Sequence, residues 1–169
     1  SGHSNTGLGR YALQGNTTAS YNTALGNNAL YSNTTGAYNT ALGASTLQGN
    51  TTANNNTAVG YMALYVNSVG TRNTAVGAYV LDAATTANDN TCVGYMAGSL
   101  ITTGSSNVFV GNGAGNAVSG GANNTFVGID VGTSVTTGSN NLFLGHDAGT
   151  ANGVGGTMQD GISLSLIHI

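Results

Sequence analysis

The chain is nearly without charge. Only 4% of its 169 residues are Asp, Glu, Lys or Arg, the net charge is -3, and the only cations are Arg10 and Arg72. A surface with no basic patch cannot neutralise phosphates, which argues against nucleic acid as a partner. Proline and tryptophan are absent. The single cysteine, Cys92, has no intrachain disulfide partner. It occupies a place where other repeats carry Ala24, Ala41, Ala58 and Ala75, so it reads as a small core residue rather than a reactive thiol. No apolar run reaches the roughly 20 residues that a membrane-spanning helix needs. The chain opens without Met or a signal peptide, so it reads as a piece of something longer. His3, His146 and His168 are scattered among five acids. No nucleophile, base and acid cluster or repeat together, so the expectation is a non-enzyme with no catalytic residue, no cofactor and no bound metal.

What is present is glycine, asparagine, threonine and alanine in strict phase. By composition alone this would be a disordered polar tract. Yet Asn5 recurs every 17 residues as Asn22, Asn39, Asn56, Asn73, Asn90, Asn107, Asn124 and Asn141. Four places after each Asn stands Gly9, Gly26, Gly43, Gly60, Gly77, Gly94, Gly111, Gly128 or Gly145, always preceded by Leu or Val. Such periodicity marks units that cannot bury a core alone and must stack.

Numbering each Asn as position zero, the repeat begins Asn-Thr-Ala-(Leu/Val)-Gly. That short apolar run between Asn and Gly reads as a strand, and a second extended segment is expected around the Ala-Leu at positions seven and eight. The Asn-Thr-Thr-Gly stretch, as in Asn33 to Gly36, reads as a turn. Seventeen residues leave no room for a helix plus strands. The fold expected is therefore all-β, a parallel β-solenoid of nine rungs over residues 1–156, rising about 40 Å at ~4.8 Å per rung. Residues 157–169 fall out of phase and read as a tail, a capping strand or a cloning or sequencing artefact. In the stack the position-zero amides form a ladder, with Asn in a left-handed corner. The glycines take the next corner, where positive φ or close backbone approach excludes a Cβ.

Positions two and eight trade volume. Gly7/Leu13, Ala24/Leu30, Ala41/Leu47, Ala58/Leu64 and Ala75/Leu81 give way, through Cys92/Gly98, to Phe109/Gly115, Phe126/Gly132 and Phe143/Gly149. Close packing demands such compensation, so both positions point into one interior. Alternation along the strand then turns the Leu/Val of position three outward. Nine aliphatic residues in a row on one face imply a cover. Copies of the same chain are the simplest cover, and a homotrimer is the expected arrangement.

The runs Tyr21-Asn-Thr-Ala-Leu-Gly-Asn-Asn-Ala-Leu-Tyr-Ser-Asn-Thr-Thr-Gly36 and Asn56-Thr-Ala-Val-Gly-Tyr-Met-Ala-Leu64 resemble the repeat arrays of phage tail-fibre proteins, over roughly residues 5 to 156. Such arrays often precede a C-terminal intramolecular chaperone domain. More loosely, the chain is similar to the head repeats of trimeric autotransporter adhesins, which form trimeric left-handed β-rolls with a shorter period. The resemblance implies a structural, host-surface-binding shaft on a virion tail fibre or outside a cell, with a host glycan or protein as partner.

Positions five and six vary most, and recognition is written at variable places on a rigid frame. Tyr61, Met62, Tyr79, Tyr95 and Met96 are the candidate receptor contacts there, since exposed Tyr offers a flat apolar face and a polar tip. Asp130, Asp147 and the adjacent His146 share these columns and read as solvated acids before they read as a cation site. Gly111-Asn-Gly-Ala-Gly115 looks like a phosphate loop, but the repeat itself accounts for both terminal glycines. A column of Thr6, Thr23, Thr40, Thr57, Thr74 and Thr91 opens the alternative of a monomeric ice-binding solenoid.

Overall fold

The computed structural model describes residues 2–150 and the backbone of 162–164. These form an all-β parallel solenoid, one rung per 17-residue repeat, with no helix among the described residues. Each repeat contributes one three-residue strand: β1 (Thr6–Leu8), β2 (Thr23–Leu25), β3 (Thr40–Leu42), β4 (Thr57–Val59), β5 (Thr74–Val76), β6 (Thr91–Val93), β7 (Val108–Val110), β8 (Thr125–Val127) and β9 (Leu142–Leu144). A tenth, β10 (Ile162–Leu164), follows. All ten lie in chain order in one parallel sheet. From β1 to β9 the register pairs like with like, as in Thr6↔Thr23, Ala24↔Ala41 and Val59↔Val76. β10 arrives three residues late: Ile162 pairs with Leu142, an offset of 20 in place of 17.

The expected second extended segment is a turn instead. Leu13, Leu30, Leu47, Leu64 and Leu81 have φ between 51° and 57°, in the left-handed region. That conformation costs a non-glycine residue about 1–2 kcal/mol. Burying four of these five leucines completely offsets it, at roughly 1.5–3 kcal/mol per side chain. The ladder nevertheless continues through the turns. Leu30 N–H donates to Thr46 O at 3.1 Å, Gly49 N–H to Tyr65 O at 2.8 Å and Thr34 N–H to Thr51 O at 2.9 Å. With no proline in the chain, every residue keeps the N–H that such bonding requires.

A second correction concerns the corner. The residue before each ladder Asn, not the Asn, is left-handed: Tyr21, Tyr38, Asn55, Arg72 and Asp89 all have φ of 59–60°. Asn at position zero keeps ordinary backbone angles, and its side chain does the structural work.

The interior has two packings in series. In rungs two to five it holds a small residue at position two and a buried Leu at position eight. In rungs seven to nine Phe109, Phe126 and Phe143 stack, with centroids 4.8 and 4.7 Å apart and planes within 13° of parallel. Each ring lies across the glycine of its own rung: a Cβ at Gly115, Gly132 or Gly149 would overlap Phe109, Phe126 or Phe143.

Size compensation of this kind is measurable as coupling. Phe126→Ala alone is expected to cost about 3–5 kcal/mol. Gly132→Leu alone should destabilise at least as much by overpacking. The double variant recreates the packing of rungs two to five and should recover a large part of both losses in a denaturant double-mutant cycle.

Candidate functional site

The scaffold that carries every surface is an amide lattice. Asn107 Oδ1 accepts from the backbone N–H of Asn124 at 3.0 Å and from its Nδ2 at 3.1 Å. Asn124 Nδ2 also donates across its own rung to Gly138 O at 2.9 Å. One side chain thereby joins neighbouring rungs and closes its own coil. The same backbone bond recurs at Asn22, Asn39, Asn56, Asn73, Asn90, Asn107 and Asn141. At position four, Gly26 to Gly128 have φ of 129° to 147°, and Gly145 has 105°. A Cβ on Gly26, Gly43, Gly60, Gly77, Gly94, Gly111 or Gly128 would run into the carbonyl of the next rung's glycine.

A second amide ladder went unread in the sequence. Asn33, Asn50 and Asn67 at position eleven are fully buried, and each donates to the Oδ1 of the Asn one rung before it, from Asn16 to Asn50. From the fifth rung the column becomes Ala84, Ile101, Val118 and Val135, all buried. Asn67 Oδ1 therefore meets Ala84 and has no hydrogen-bond partner among the described residues. The signal was in the sequence: aligned at 17, Asn-Thr-Thr looks like a surface turn for three repeats, the fourth keeps the Asn as Asn67-Ser-Val, and then the Asn is replaced by aliphatics. A hydroxyl column follows at position twelve, where Thr34 Oγ1 donates to Thr51 O at 2.9 Å and Thr51 Oγ1 to Ser68 O at 3.0 Å.

The outer sheet face carries position one and position three side by side. Leu8, Leu25, Val110, Val127 and Leu144 are exposed, and Leu42, Val59, Val76 and Val93 are half-buried. Beside them Thr6, Thr23, Thr57, Thr91, Val108 and Leu142 are exposed. The result is a two-column strip along the sheet, aliphatic throughout at position three and mostly Thr at position one.

The structure brings the five variable-column candidates together over three rungs. Tyr79 meets Tyr61 edge-on at 5.3 Å and Tyr95 edge-on at 6.1 Å. Met62 and Met96 hold the same column as Tyr79, one rung to either side. Loss of water around the Tyr79 hydroxyl, followed by the fields of Tyr61, Tyr95 and Asp82, pushes its pKa up.

Other features do less. Asp130, His146 and Asp147 each bring a ligand atom within 4.8 Å of the others, but all three are exposed. His146 Nδ1 lies 3.2 Å from Asp147 Oδ2. Such an open, solvated set imposes no coordination shell. Gly111 and Gly115 serve as a corner and as the space beneath Phe109, so they form no phosphate cradle. Arg72 donates to both carboxylate oxygens of Asp89 one rung on, at 2.6 and 2.8 Å. The contact holds the Asp89 carboxyl below its usual range, but the pair lies at the surface, where solvent screens it. Cys92 is completely buried, and burial drives its pKa far up. No helix among the described residues is long and apolar enough to cross a membrane.

No family of known proteins, no curated protein and no solved structure matches this chain.

Two outcomes follow from this geometry. Native protein at pH 8 should leave Cys92 unlabelled by iodoacetamide, whereas denatured protein should label fully, as mass spectrometry will report. Asn73→Ala should destabilise by about 2–5 kcal/mol, because it strands the Ala87 carbonyl and the Asn90 N–H, each worth roughly 1–3 kcal/mol when buried unpaired. The exposed Asn27→Ala should stay within ~0.5 kcal/mol by the same denaturant melt.

Proposed function

We propose that this chain is a structural and host-surface-binding shaft of a phage tail fibre or bacterial surface adhesin, working on the virion or outside the cell as a homotrimer. One observation carries the reading: the outer face of the sheet bears an unbroken aliphatic column at position three, with the interior already filled behind it. Water-exposed strips of that length belong to interfaces, and strands apolar on both faces are covered on both faces. A copy of the same chain offers the same repeat spacing, so Leu and Val meet Leu and Val at every rung. Three such faces around one axis make a closed apolar core and leave the turns outside.

The rest of the molecule fits a mechanical part. The amide and glycine ladders specify a rod, and Tyr61, Met62, Tyr79, Tyr95 and Met96 lie away from the strand columns, where a rigid stack displays them to a host glycan or protein. No cofactor is called for.

A second reading, a monomeric ice-binding solenoid, draws on the outward Thr column of the same sheet. Against it, that column is interrupted at Val108 and Leu142 and shares its face with the bulky position-three residues.

Native mass by light scattering on a size-exclusion column decides between them. A trimer is expected, and Val59→Asp with Val93→Asp should return it to monomers that keep their β-sheet circular dichroism. A folded wild-type monomer showing thermal hysteresis would replace the shaft with the ice-binding reading.

A further inference from the structure

Two adjoining hollows run along the turns of the first four rungs, outside the sheet. The first, about 320 Å³, is lined by Tyr11, Asn28, Tyr31 and Gln48. The second, about 200 Å³, shares Gln48 and adds Ser32 and Tyr65. Together they follow position nine, whose column reads Gln14, Tyr31, Gln48, Tyr65. Aromatic and amide side chains thus alternate rung by rung.

The hollows are lined entirely by uncharged groups. Tyrosine supplies flat faces with polar tips, and Gln, Asn and Ser supply both donors and acceptors. The neighbouring charges sit at the ends. Arg10 donates to the Tyr11 hydroxyl at 2.7 Å, with its guanidinium 4.5 Å from that ring's centre, and Asp82 continues the column past Tyr65. This lining carries no charge to balance a phosphate, a carboxylate or a metal ion. A ligand with many hydroxyls and apolar C–H faces satisfies both halves of it.

The trough is also held in shape. Gly15 N–H donates to Tyr31 O at 2.8 Å, Ser32 N–H to Gln48 O at 3.1 Å and Gly49 N–H to Tyr65 O at 2.8 Å. The backbone under the column is therefore fixed from rung to rung, and binding need order only the side chains. Tyr11 and Tyr31 meet edge-on at 6.2 Å, which forms a wall at one end. The rung repeat of ~4.8 Å is close to the length of one pyranose ring in an extended chain. Tyr31 and Tyr65 stand two rungs apart, where an extended β-1,4-linked glycan presents every second sugar in the same sense.

We infer that the trough of Tyr31, Gln48 and Tyr65 binds a neutral, linear oligosaccharide lying parallel to the solenoid axis. The inference rests on the host-surface reading above and names a ligand class and a site distinct from the Tyr61–Tyr79–Tyr95 group.

The test is calorimetric titration of the 169-residue chain with cellohexaose, chitohexaose and maltohexaose. At least one is expected to bind with millimolar or tighter affinity. Tyr31→Ala and Gln48→Ala should each weaken it at least tenfold, and Thr103→Ala on a remote turn should leave it unchanged, with native mass and circular dichroism showing that all three variants fold. Failure of all three sugars to bind, or equal binding by Tyr31→Ala, overturns the inference. Adhesion of the labelled chain to a panel of Gram-negative and Gram-positive cells separates the two readings. Adhesion that Tyr31→Ala does not weaken leaves the shaft's host contact standing and removes the trough from it. Sugar binding without adhesion does the reverse.

Discussion

Everything in this molecule depends on one side-chain amide. The position-zero Asn accepts from the following rung and donates across its own, so it satisfies backbone groups that a three-residue strand and long turns would otherwise leave buried and unpaired. Remove that bond and the rung loses a bond that closes it and one of its attachments to the next rung. The glycine corner depends on it in turn. Carbonyl and Cα approach so closely between rungs that no side chain fits, and only a lattice that fixes each rung's height can hold them there. Charge plays almost no part, and burial of large apolar groups is confined to a narrow interior.

That interior was largely legible in the sequence. The exchange of Ala/Leu for Phe/Gly is a statement about volume, and volume is conserved when two positions share a space. Phe126 over Gly132 is the physical form of that exchange. The outward direction of Leu25 or Val127 followed from alternation along a strand, which needs no structure to apply. What did not follow was backbone conformation. The Ala-Leu pairs at Leu30 and Leu64 read as extended because a short apolar run between turn signals looks like a strand. Their left-handed angles are imposed by the need to turn a coil within 17 residues while keeping the side chain inside. Local propensity lost to closure.

The candidate surfaces divided in the same way. Tyr61, Tyr79 and Tyr95 were chosen as variable residues, and stacking brings them into contact because columns five and six adjoin. The position-eleven ladder was hidden because Asn-Thr-Thr is what a turn looks like. Its buried asparagines resemble exposed ones until the column is seen to change to Ile101, Val118 and Val135. Position nine was passed over for the opposite reason. Gln14, Tyr31, Gln48 and Tyr65 show no conserved type, and their alternation acquires meaning only when consecutive rungs are one strand spacing apart.

The sheet face has a further property. Its Leu/Val column presents nearly the same group at every rung from Leu8 to Leu144, and the change from alanine–leucine to phenylalanine–glycine packing is sealed inside where no neighbour can read it. A partner laid against this face therefore finds almost the same surface after sliding by one rung, losing only the contacts of a single terminal unit. The position-three column is a rail without graduations. For a second copy laid against it, axial alignment would have to come from groups that do not repeat: Val108 and Leu142, which interrupt the Thr column beside it, and turn residues such as Tyr31, Arg72 and Asp147.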